Sequence, residues 1–202
     1  MVAGRKREPL RTEEIEDLTT IKGIAFPSGV RFRQILVTGP PGSGKTTLVG
    51  RLGGWPEEGY LDLGEKRWWR SSVLTFRPRE VHFGIPFVGH PESLAVFDTE
   101  WLESRRAIDL DRIRLPPEKR RIFGTDWRAK YAFDFQLLPP ERLFAIRSER
   151  ARSGLHPIDR GVTLDIVTDQ IAVYEQLACH FQGYGFAVYV RHGFDGRPRR
   201  IV

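Results

Sequence analysis

Gln34-Ile35-Leu36-Val37-Thr38-Gly39-Pro40-Pro41-Gly42-Ser43-Gly44-Lys45-Thr46-Thr47-Leu48-Val49 decides how this chain folds. The run from Phe32 to Val37 reads as a buried strand that ends on apolar residues and then meets Thr38-Gly39. Residues 39–46 match G-x-x-x-x-G-K-[ST] at every fixed position. Gly39, Gly42 and Gly44 let the backbone curl so that successive N–H groups point inward at a phosphate. A helix starts near Lys45, carries Leu48, Val49 and Leu52, and stops at Gly53-Gly54. Strand before and helix after is the context in which this loop holds nucleotide phosphates, most simply Mg-ATP. Gly39, Pro40, Pro41, Gly42, Ser43, Gly44, Lys45, Thr46 and Thr47 form the expected binding set. Lys45 is expected on the β- and γ-phosphates, with the Thr46 hydroxyl on Mg²⁺.

Further strands are expected at Tyr60–Leu63, Ser93–Phe97, Ala132–Leu138 and Phe186–Val190. The clearest helix runs from Thr163 to Phe181. Its apolar positions Val167, Ile171, Tyr174, Leu177, Ala178 and Phe181 fall three or four apart, as one buried face requires. Pro116-Pro117 and Pro140-Glu141 can each open another helix, since proline suits a first turn. Strands alternating with helices argue for a parallel sheet covered on both faces. The segment 71–91 fits less well: Thr75 to Phe83 alternates at period two, but Pro78 and Pro86 interrupt it. An edge strand, a hairpin insertion or a substrate-facing lobe are its readings.

Ala95-Val96-Phe97-Asp98 has the form of an apolar strand ending in an acid that holds Mg²⁺, so Asp98 joins Thr46 as an expected metal ligand. Asp62 ends the strand after the loop helix, and ligands of open α/β sheets bind at the carboxyl ends of strands. Asp62 there can take the proton of an attacking hydroxyl. Glu65, Asp98 and Glu100 are the other acids that can fill that role.

This pattern resembles the P-loop kinases of the nucleoside, nucleotide, gluconate, shikimate and polynucleotide kinase group. The loop, Tyr60-Leu61-Asp62-Leu63-Gly64-Glu65, the strand and turn Leu137-Leu138-Pro139-Pro140, and the arginine-rich run 147–156 carry the resemblance over residues 31–192. It implies a three-layer P-loop NTPase fold: a mostly parallel five-stranded sheet, helices on both faces, and a small β insertion at 71–91. It implies a lid at about 147–160, with Arg147 and Arg150 as the catalytic arginines beside Lys45 and Asp62. Those two arginines lie on one helical face and Arg152 lies off it. The implied activity is transfer of the ATP γ-phosphate to a hydroxyl of a small metabolite, a nucleoside or a nucleic-acid end. Two departures stand out. Gly64 replaces the second aspartate of the Asp-x-Asp several members carry, and 71–91 has no counterpart in the group. The alternatives are an ATP-hydrolysing NTPase in which Glu100 orients water, and a non-enzymatic nucleotide-binding module. A GTPase would need a guanine-reading N-K-x-D, which this sequence lacks.

The chain has 202 residues and a formal charge of +6, one domain's length with a bias toward anionic partners. Near the acceptor side, Trp68 and Trp69 can stack on a sugar or base, and Arg67 or Arg70 can grip an anion. His82, His90 and His156 share no metal-ligand spacing. Cys179 is the single cysteine, which excludes an internal disulfide. No apolar run approaches the roughly 18 residues of a membrane span, and no apolar stretch follows the charged first residues, so a cytoplasmic protein is expected. Residues 1–18 read as a flexible arm, 19–194 as the domain, and 195–202 as a basic tail.

Overall fold

The computed structural model describes residues 10–29, 34–54, 61–62, 78–82, 114–115, 128–154, 156 and 159–202. In chain order the strands are β1 (Thr12–Glu14), β2 (Leu18–Ile21), β3 (Ile24–Pro27), β4 (Gln34–Thr38), β5 (Leu61–Asp62), β6 (Arg79–His82), β7 (Tyr131–Gln136), β8 (Ala187–Arg191) and β9 (Arg199–Ile201). The helices among the described residues are α1 (Lys45–Arg51), α2 (Pro140–Arg152) and α3 (Leu164–Gly183). The strands expected at 93–97, the helix expected near Glu118, and Glu65, Trp68, Trp69, Asp98 and Glu100 lie outside the described residues.

The expected mostly parallel sheet of five strands is corrected. The sheet is mixed and has seven strands, in the order β1-β9-β8-β7-β4-β6-β5, and β2 and β3 form a separate two-stranded sheet. Neighbours from β8 to β5 run parallel, while β9 is antiparallel to β8 and β1 is antiparallel to β9. The added strands come from segments read as loose arm and basic tail. Thr12-Glu13-Glu14 and Arg199-Arg200-Ile201 carry no apolar alternation, so tertiary pairing makes them strands. Their charges are complementary: Arg199 meets Glu14 at 3.0 Å and Arg200 meets Glu13 at 3.6 Å. The second sheet is a hairpin whose Ile21 and Ile24 pair across Lys22-Gly23. Both turn residues have positive φ, 49° and 78°, as a tight two-residue hairpin turn requires.

The segment around Pro78 also differs from expectation. β6 lies inside the sheet, between β4 and β5 and parallel to both. Proline just ahead of a strand costs no ladder bond there, which is why Pro78 did not prevent it. Gly54, just past α1, lets the backbone close on this strand: a β-carbon on it would lie 2.4 Å from the Pro78 carbonyl oxygen.

Side chains alternate across the sheet. On one face, Ile35 and Val37 of β4 pack with Leu48, Val49 and Leu52 of the α1 region and with Ile24 and Phe26 of the hairpin. On the other, Leu36, Phe133, Phe135, Val188 and Val190 pack with Val173, Leu177, Ala178 and Phe181 of α3. Phe133 stacks on Phe181 with centroids 4.3 Å apart. Leu143 of α2 joins Val167 and Ile171 of α3 in a third cluster. Thr163 caps α3, its Oγ1 accepting from the Ile166 amide.

Candidate functional site

The 39–46 loop leaves the carboxyl end of β4, where the course of the chain reverses. After β4 the chain runs to β5 and β6 on one side, then crosses to β7 and β8 on the other. Such a switch leaves a crevice at the strand ends, where open α/β sheets bind ligands.

Three glycines shape the loop. Gly39, Gly42 and Gly44 have φ of 144°, 83° and 93°. Gly39 has a second constraint: a β-carbon there would lie 2.4 Å from the Gln136 carbonyl oxygen and 2.9 Å from Ser43 Oγ. The loop therefore folds against the end of β7 with no room for a side chain. Ser43 N donates to the Pro40 carbonyl at 3.2 Å, and Leu48 N donates to the Gly44 carbonyl at 3.0 Å. Gly44 caps α1 with no side-chain bond, and no acid occupies the first turn. Acids are thus kept from the place where an anion would sit.

Lys45 is half-buried, and its Nζ donates to the Pro40 carbonyl at 2.9 Å, folding the side chain back over the loop. Thr46 and Thr47 are exposed, Pro40 is buried and Pro41 is half-buried. Ser43 Oγ and Thr38 Oγ1 are buried without a hydrogen-bond partner among the described residues. Buried hydroxyls are normally satisfied, so both mark a place where a polar ligand or water completes the bonding.

The expected lid arginines reach this loop. A β-carbon on Gly42 would lie 3.1 Å from Arg147 Cγ and 3.1 Å from Arg150 Nη1. The two differ in surroundings. Arg147 is fully buried. Its Nε donates to Asp159 Oδ1 at 2.7 Å and its Nη1 to Gln170 Oε1 at 2.6 Å. Burial lowers the Arg147 pKa, and the Asp159 carboxylate opposes that fall. Arg150 is partly exposed and places Nε 3.3 Å from Asp159 Oδ2. Arg152 points away and pairs with Glu149 on the surface.

Asp62 ends β5, in register with His82 of β6. With β6 between β5 and β4, its backbone lies two strand spacings, about 10 Å, from the strand that bears the loop. Among the described residues no group of three or more His, Cys, Asp or Glu is placed to hold a metal ion.

Sequence reasoning missed a second set of polar residues below the loop. Asp134 and Gln136 of β7 and Arg191 of β8 are all buried. Arg191 Nε donates to Asp134 Oδ2 at 2.6 Å, Nη1 to the Gly196 carbonyl at 2.8 Å, and Nη2 to the Ala25 carbonyl at 2.7 Å. Its guanidinium also lies 4.7 Å from the Phe26 ring centroid. Burial pushes the Asp134 carboxyl above its usual range, and the Arg191 charge opposes that rise. The available signal was an acid flanked by two phenylalanines in a buried strand, because such an acid needs a partner. Asp159 and Gln170 carried no such signal. Phe194, in the turn after β8, lies against the loop: its Cδ1 would be 3.3 Å from a β-carbon on Gly44.

Among the described residues no helix is long and apolar enough to cross a membrane. Compared with known protein families and with curated protein sequences, the chain matches none.

Proposed function

We propose that this chain is an ATP-dependent phosphotransferase, a kinase that moves the terminal phosphoryl group of Mg-ATP to a hydroxyl acceptor. The observation that carries the reading is the 39–46 loop. Its glycines take left-handed φ at the carboxyl end of β4, two arginines reach Gly42, and no acid occupies the first turn of the following helix. That donor set suits a polyphosphate.

In this reading each residue positions or neutralises charge, which is most of what phosphoryl transfer asks of a protein. The loop amides and Lys45 hold the β- and γ-phosphates. Arg150, beside Gly42, offsets charge on the transferring group, and Arg147 adds to the positive field. Asp62, at its strand end, takes the proton of the acceptor hydroxyl. Thr46 and Asp98 are the residues that would hold Mg²⁺, which would offset phosphate charge there. The acceptor is a small metabolite, a nucleoside or a nucleic-acid end, and the net charge of +6 favours an anionic one. A cytoplasmic setting belongs to the same reading.

The deciding experiment supplies Mg²⁺ and γ-labelled ATP with pools of nucleosides, sugars and hydroxyl-ended oligonucleotides. Label entering one acceptor pool, and abolished by Asp62→Asn while ATP still binds, supports the kinase and names the acceptor class. Release only as free phosphate, indifferent to Asp62→Asn and sensitive to Glu100→Gln, replaces it with an ATP-hydrolysing protein.

A further inference from the structure

Arg147 and Arg150 face a single carboxylate. Asp159 is fully buried in its side chain: its Oδ1 accepts from Arg147 Nε at 2.7 Å, and its Oδ2 lies 3.3 Å from Arg150 Nε as an ion pair, without a hydrogen-bond partner among the described residues. Arg147 is fixed from its other end by Gln170 of α3, at 2.6 Å. Asp159 thus cannot swing without breaking a buried charge-assisted bond, which is among the stronger polar contacts a protein makes. Arg150 has no such buried tether of its own. It sits partly exposed, with Nη1 against Gly42 and Nε toward Asp159.

Two cations share one anion, so the cluster leaves an excess positive charge at the middle of the loop. Arg147 Nη2 is, in addition, buried without a hydrogen-bond partner among the described residues. A purely structural ion pair between α2 and the segment ahead of α3 would need only Arg147. The second arginine is explained if the carboxylate serves to aim it. A long arginine side chain loses rotamer freedom when it grips an anion, and a fixed opposite charge beside Nε removes part of that loss before the anion arrives. Nε and Nη1 lie on one rigid fork, so a fixed carboxylate that draws Nε toward it also biases where Nη1 points.

We propose that Asp159 is the positioning residue of Arg150: locked by Arg147 and Gln170, it holds the guanidinium so that Nη1 is presented to a phosphate in the 39–46 loop. This rests on the phosphate-binding reading of the loop. It adds to that reading a residue that touches no phosphate and whose negative charge, by Coulomb's law alone, would weaken anion binding.

That sign makes the test. The full chain is titrated calorimetrically with inorganic pyrophosphate at fixed salt, with thermal melts to check folding. Arg150→Ala is expected to weaken binding about tenfold or more. Asp159→Asn is expected to weaken it several-fold, although it removes a negative charge. The Arg150→Ala, Asp159→Asn double variant is expected to bind no worse than Arg150→Ala alone. Unchanged or tighter binding by Asp159→Asn, or an equal loss in the Arg150→Ala background, overturns the proposal. Should Asp159→Asn fail to fold, Arg150→Lys decides, because it keeps the charge but has no fork to span Asp159 and Gly42. It is expected to lose as much as Arg150→Ala, and full retention overturns the proposal. Equal binding by the unaltered chain and Lys45→Ala sinks the phosphate-loop reading itself, and this inference with it. Lys45-dependent binding with Asp159 indifferent sinks the inference alone.

Discussion

At Gly39 two constraints meet: a φ of 144° and a neighbouring carbonyl 2.4 Å from any added β-carbon. Gly39→Ala should therefore cost about 1–3 kcal/mol of stability from backbone strain and should also abolish pyrophosphate binding, read by thermal melts and calorimetry. Lys45 separates the two effects. Its amine bonds the Pro40 carbonyl at the surface of the loop. Lys45→Ala should change stability by no more than about 0.5 kcal/mol yet weaken phosphate binding about tenfold or more. His156 reports on the same site through its titration. Desolvation first, and then the Arg150 charge, lower its pKa below the usual 6.5. Around that pH His156 binds more proton in the unfolded chain than in the folded one, so the stability it contributes is present above the usual value and is lost as pH falls through the window. Followed by NMR, the His156 pKa should move up toward its ordinary value in Arg150→Ala. No movement would place Arg150 away from His156.

Among the elements, α3 holds the sheet and α1 holds the loop. Twenty residues of α3 bury Val167, Ile171, Leu177 and Phe181 along one face. Phe181 is stacked on Phe133 and edge-on to Phe186. Phe181→Ala should cost about 3–5 kcal/mol in denaturant unfolding, while Thr163→Ala, which removes only the cap, should cost about 1 kcal/mol. By contrast, α1 has only seven residues, too few to be stable alone. It stands because Leu48 and Val49 are buried against Ile35, Val37 and Phe26. Leu48→Ala should therefore lower stability and phosphate affinity together, since the loop is anchored at both ends by what that side chain packs on.

For the whole molecule, Arg191 is the tie between layers. It joins β7 through Asp134, the β2–β3 hairpin through the Ala25 carbonyl, and the turn after β8 through the Gly196 carbonyl. The same turn carries Phe194 onto Gly44. Arg191→Met should cost about 3–5 kcal/mol because it strands the buried Asp134 carboxylate. The Arg191→Met, Asp134→Leu pair should recover much of that loss in the same unfolding assay, and a double variant as unstable as the single would deny the ion pair this role. The antiparallel edge matters at this scale too. β9 separates β8 from β1, so β9 and β1 together form one side of the sheet.

The sequence alone was enough to determine the 39–46 loop, the strand before it and the helix after it, because that motif is local: its glycines, lysine and threonine are spaced by backbone geometry within one turn. The buried face of α3 was equally legible, since helical periodicity is written residue by residue in Val167, Ile171, Leu177 and Phe181. Lys22-Gly23 between two isoleucines is a hairpin signal of the same local kind. What only the tertiary structure decided was everything that depends on distant partners. β1 and β9 are strands because each pairs in register with a neighbour distant in sequence, Thr12–Glu14 with Arg199–Ile201 and β9 with β8, with no apolar pattern of their own. β6 is interior, despite Pro78 just ahead of it, because β4 and β5 both pair with it. Asp159, Gln170 and Arg191 acquired their places in the same way. A buried charge is defined by the partner that compensates it, and that partner is chosen by the folded chain rather than by its neighbours in sequence.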